Sequence, residues 1–154
     1  MLPNMNIKNY TSGIPANRTI GDIENLLIVA GATAVAKEVK EKTVVAVMFQ
    51  LPCDGRSQTI RLPANVEAVQ DWLWKEHVSG AVRNKRTKDD FREQAERTAW
   101  KIMLDWTQVQ ISLIKLKQAD ALQVFLPYIW DGGQTYYEYL KGNKFKALPP
   151  AQSA

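Results

Sequence analysis

A chain of 154 residues with 45% apolar and 23% charged content has the size and balance of one soluble domain. Single copies of cysteine (Cys53) and histidine (His77) leave no internal disulfide, no zinc-ligand spacing and no Cys/His or Ser/His/Asp arrangement within one subunit. The net charge of +4 suits an anionic partner, and no apolar run approaches the roughly 18 residues of a membrane span.

A lone cysteine favours a reducing, cytoplasmic setting. The first 13 residues lack the basic segment and apolar core of a signal peptide. Pro3, Gly13, Pro15 and several asparagines make residues 1–18 irregular. Thr19 with Asp22 resembles a capping box, which predicts a helix from Ile20 to Ala30. Its stripe is Ile20, Ile23, Leu26 and Leu27, and Gly31 is placed to end it.

Three strands are expected next: Thr33–Val39, Thr43–Leu51 and Ser57–Leu62. Lys40-Glu41-Lys42 and Asp54-Gly55 supply the turns of an antiparallel meander. Pro63 ends the third strand, and Asn65 caps a helix from Val66 to His77 with Val66, Val69 and Leu73 inward. Ser79-Gly80 stops it.

The stretch from Thr87 to Leu126 contains no Gly or Pro. Phe91, Ala95, Ala99, Ile102, Trp106, Val109, Leu113 and Leu116 recur in steps of three or four. This predicts a helix of about 30 residues, roughly 45 Å long. Thr87 and Asp90 form a capping box at its start. Trp100, Leu104, Ile111 and Ile114 lie off that stripe and predict a second apolar face, an oligomer interface. Past Pro127, Asp131-Gly132-Gly133 is a turn, Gln134–Lys141 a short helix, and residues 147–154 a disordered tail. The expected fold is therefore α+β: one domain over residues 1–146, with a small three-stranded antiparallel sheet and an N-terminal helix packed on a long central helix and C-terminal helices.

Four groups of residues are candidates for chemistry. Arg83, Lys85, Arg86 and Lys88 are a basic loop entering a helix start, which suits phosphate, although Asp89 and Asp90 adjoin it. Arg56 and Arg61 on the hairpin extend that surface. Among five tryptophans, Trp74 and Trp100 are candidates to stack on bases, with core packing the competing reading. Asp89, Asp90, Glu93 and Glu96 could hold Mg²⁺ for a nuclease, but the interleaved Arg92 and Arg97 favour a solvated, paired face. Tyr136, Tyr137 and Tyr139 beside Lys141, Lys144 and Lys146 fit either a docked terminal helix or a single-strand binder. No Gly-rich phosphate loop or nucleophile elbow occurs, and Cys53 has no partner that would activate it except Arg56.

The segments IPANRTIGDIENLLIVAGATAVAKE, RLPANVEAV, QAERTAWKIMLDW and VFLPY resemble small proteins encoded by bacteriophages and integrated mobile elements. The resemblance, over Ile7 to about Leu140, implies an accessory protein in the bacterial cytoplasm. Such proteins handle nucleic acid, or block host defences by binding a protein or a nucleotide signal. The expectation is a non-enzymatic homo-oligomer without cofactor that binds nucleic acid, single-stranded and with little sequence preference. The alternative is an oligomeric sponge or inhibitor for a small nucleotide or a host protein.

Overall fold

The first helix starts at Pro15 and not at Thr19. The computed structural model describes residues 5–80 and 85–152, and its α1 covers Ala16–Val29. Proline opens a helix without loss, because the N–H it lacks would have no partner there. The Thr19–Asp22 box does not form: Thr19 is buried inside the helix and its hydroxyl donates to the Pro15 carbonyl. Gly31 ends α1 as expected, at φ +108°. Gly31 N–H donates to Ile28 O and Ala32 N–H to Leu27 O, the bond pair of a left-handed helix stop.

Strands β1 (Ala34–Lys40), β2 (Thr43–Cys53) and β3 (Arg56–Pro63) form the expected antiparallel meander, in the order β1-β2-β3. Both turns have two residues at positive φ, Glu41 and Lys42 in one, Asp54 and Gly55 in the other. Such mirror-image turns match the right-handed twist of the strands. Phe49 lies opposite Ile60 and Val47 opposite Leu62, so these alternating residues share one buried face. Ala46, Met48 and Arg61 belong to the other face. β1 is an edge strand, interrupted by a bulge at Glu38/Val39. Beyond β3, Ile129 bridges to Ile60, and Trp130 N–H donates to Thr59 O at 2.8 Å.

Helix α2 (Val66–Ser79) starts at Asn65, whose side chain accepts from Ala68 N–H. Val66, Val69 and Leu73 are buried as expected. A 3-10 turn, Lys88–Phe91, carries the Thr87–Asp90 box and leads into α3 (Arg92–Lys115). This central helix has 24 residues and is about 36 Å long.

The helix does not continue to Leu126. Lys117 takes a left-handed φ of +58°, its N–H donates to Ile114 O, and Gln118 N–H donates to Leu113 O. This is the same stop as at Gly31, made by a lysine. Asp120 then accepts from Gln123 N–H at 2.7 Å and caps α4 (Ala121–Phe125). The Asp120-x-x-Gln123 spacing was the sequence signal for that restart. A 3-10 turn, Leu126–Tyr128, and α5 (Tyr136–Gly142) complete the chain.

The inner face of α3 agrees with the expectation over its first half, where Ala95 and Ala99 are buried and Phe91 and Trp106 pack against the core, and departs from it beyond. Trp100, Leu104 and Ile111, predicted to point outward into an oligomer interface, are buried in the chain's own core, and Ile114 packs against it. From the predicted inner stripe, Val109 is 55% and Leu116 73% exposed. The face carrying Trp100 removes more apolar area from water when buried than the face carrying Val109. Phe125 closes the core, its ring 5.4 Å from Phe49 and 6.1 Å from Trp106.

Candidate nucleic-acid interface

The predicted basic surface is not assembled in one place. Arg83 lies outside the described residues. Lys85 is exposed, Lys88 pairs with Asp71, and Arg86 sits over the Phe91 ring at 5.8 Å. With Asp71, Asp89 and Asp90 alongside, the loop offers phosphate as many carboxylates as described cations. The hydrogen bond and charge of Lys88 hold the Asp71 carboxyl below its ordinary value.

Arg56 stands at the β2–β3 turn, opposite Cys53. Cys53 feels the charge of Asp120, just past the end of α3, whereas the basic loop adjoins the start of α3. The two thus lie toward opposite ends of α3. Burial, followed by the Asp120 charge, raises the Cys53 thiol, which keeps it protonated and unreactive. Arg61 is also committed: its Nε donates to Glu38, and its guanidinium lies 5.4 Å from the Trp130 ring centre.

Neither tryptophan offers a free stacking face as predicted. Trp100 is 2% exposed. Trp74 is partly buried, with its ring 5.8 Å from His77 and 6.2 Å from Phe91. The acidic group is paired as well. Asp90 caps Thr87, Glu93 meets Arg97 at 3.0 Å, and Glu96 meets Arg92 at 3.4 Å. No cluster of His, Cys, Asp or Glu able to hold a metal occurs among the described residues. An apolar hollow of about 290 Å³ opens between Leu27, Leu51, Ile111 and Phe125, with Lys115 as its only charged wall.

The C-terminal face is assembled better. Thr135 and Glu138 form a reciprocal capping box that fixes α5. Its tyrosines do not dock: Tyr136 is 36% exposed, and Tyr137 and Tyr139 are each 50% exposed. Tyr136 and Tyr139, three apart on the helix, stack at 6.2 Å with an interplanar angle of 17°. Tyr137 meets Phe145 at 5.9 Å. Phe145 is held there by a left-handed stop in which its N–H donates to Leu140 O. Lys141, Lys144 and Lys146 are exposed, and none of them pairs with a carboxylate among the described residues. Glu138 is the only carboxylate between Tyr136 and Lys146, so lysines outnumber it three to one there.

Beside this face lies a cleft of about 320 Å³, lined by Arg61, Pro63, Pro127, Tyr128, Tyr137 and Glu138. It joins one predicted site residue, Arg61, to the aromatic face through the turn at Pro127. The sequence signal for this region was the mixture of tyrosine and lysine. Periodicity could not tell whether that side was docked or open.

No family model matches the chain, and neither curated proteins nor solved structures give a match. No helix among the described residues is long and apolar enough to cross a membrane.

Proposed function

We propose that this protein binds single-stranded nucleic acid without catalysing a reaction, through the face built by α5 and the turns after it. The observation that carries this reading is the four exposed rings of Tyr136, Tyr137, Tyr139 and Phe145 beside three lysines that pair with no carboxylate among the described residues. Lysines neutralise phosphates, and exposed rings stack on any base, so the platform itself has little sequence preference. This moves the reading away from the loop at Lys85–Lys88. The resemblance to phage-encoded proteins supports an accessory role in a bacterial cytoplasm.

The test is a titration of a labelled single strand at several salt concentrations. Three phosphate contacts predict a log–log salt slope of about −2, at roughly 0.7 per contact. Lys141→Gln with Lys146→Gln should weaken binding and flatten the slope by about 1.4. Tyr139→Ala should cost about tenfold or more in affinity through lost stacking. Unchanged affinity and slope in these variants would remove the assignment.

Self-association is a second reading, favoured by the outward side of α3. Ile102, Val109, Leu113 and Leu116 follow a heptad spacing, and no charge occurs from Trp106 to Ile114. The partner surface would be this stripe, not the buried Trp100, Leu104 and Ile111.

A further inference from the structure

The cleft between β3, the Pro127 turn and α5 has walls unlike those of the open platform. Tyr128, Tyr137, Pro63 and Pro127 supply flat, largely apolar sides, while Arg61 and Glu138 bring a donor and a carboxylate. Arg61 spends its Nε on Glu38, and its two terminal nitrogens have no hydrogen bond among the described residues. Glu138 uses one carboxylate oxygen, at 3.3 Å from Thr135 N–H, which leaves the other open. A slot with planar walls, strong donors and a carboxylate acceptor fits a planar heterocycle with both acceptors and N–H donors. The volume of about 320 Å³ takes one such ring with room for its sugar.

We infer that this cleft holds one unpaired base of the bound strand and selects guanine there. Guanine presents N1–H and N2–H side by side to a carboxylate, and O6 with N7 to a guanidinium. Thymine offers one N–H and no such acceptor pair. The platform then holds the strand without reading it, and the cleft adds preference at a single position. This rests on the single-strand reading above.

The experiment compares, by fluorescence anisotropy, an all-thymine strand of about twelve nucleotides with the same strand carrying one guanine, a length within the usual site sizes. The guanine strand should bind about tenfold tighter, the low end of discrimination by a good bidentate pair. Glu138→Gln keeps the capping geometry, since glutamine serves at that position, but removes the carboxylate. It should erase the guanine advantage, while the all-thymine strand binds at least as tightly as before, because a carboxylate beside the three lysines is gone. Equal binding of the two strands by the wild type, or an advantage that survives in Glu138→Gln, overturns the cleft assignment and leaves the platform standing. Failure of both strands to bind overturns the platform as well. Guanosine monophosphate serves as the free-nucleotide arm. Binding as tight as the guanine strand confirms base recognition and transfers the cleft to a free nucleotide. Much weaker binding confirms the strand as its source.

Discussion

Arg61 reaches Glu38 across the whole width of β2, with Nε and Oε2 2.6 Å apart. In register the two residues are offset: Arg61 lies opposite Met48, and Glu38 lies opposite Ala46. Trp130 then covers the guanidinium. A cation that looks like a ligand contact in the sequence therefore serves first to tie the edge strand to the rest of the sheet.

That pair makes the fold sensitive to acid. The hydrogen bond from Arg61 lowers the Glu38 carboxyl from its ordinary value of 4.5, against a smaller opposing effect of burial. A depressed folded value means the stabilisation is present above pH 4.5 and is lost as pH falls through the lower folded value. Glu38→Gln should cost about 1 kcal/mol at pH 7 and progressively less as pH falls below 4.5 toward the lower folded value, where the wild type loses the pair too. Thermal unfolding from pH 7 to pH 3 checks this; a constant gap between the two proteins would contradict it.

Trp100 and Trp74 should respond differently to truncation. Trp100→Ala empties a core position and should cost about 3–5 kcal/mol in urea unfolding. Trp74→Ala, at a partly buried ring edge, should cost clearly less. Similar losses at both positions would mean that Trp74 belongs to the core as firmly as Trp100 does.

Lys117 holds a left-handed conformation in which a Cβ is unfavourable. Lys117→Gly should raise stability by about 0.5–1 kcal/mol, because the stop after α3 then matches the one at Gly31. A fall in the urea midpoint would show that the lysine side chain contributes more there than its backbone loses.

Leu116 tests the outward stripe of α3. Light scattering should give a mass above the 17.4 kDa of one chain, and Leu116→Asp should return it to one chain without loss of fold. A wild-type mass of one chain across a wide concentration range would discard the stripe as an interface.

Short-range chemistry explains which parts of this fold were legible in the chain. The meander, its Asp54-Gly55 turn, the Asn65 cap, the Thr87–Asp90 box and the stop at Gly31 each depend on residues within about four positions of one another. The end of α3 is also local, at Lys117 and Asp120, but lysine rarely takes that backbone conformation, so the unbroken apolar rhythm concealed it. The inner side of α3 was legible at Ala95 and Ala99 but not beyond them, because both sides carry apolar residues at helical spacing. Burial chose the side with Trp100 and Leu104, since packing against α1, α2 and the sheet removed the larger area from water. The candidate site divides in the same way. Tyrosines beside lysines marked the C-terminal face in the chain itself. That Arg61 stands at its cleft, that the loop cations meet carboxylates, and that Arg56 lies far away followed only from tertiary packing, which sets distances between charges that sequence separation does not encode.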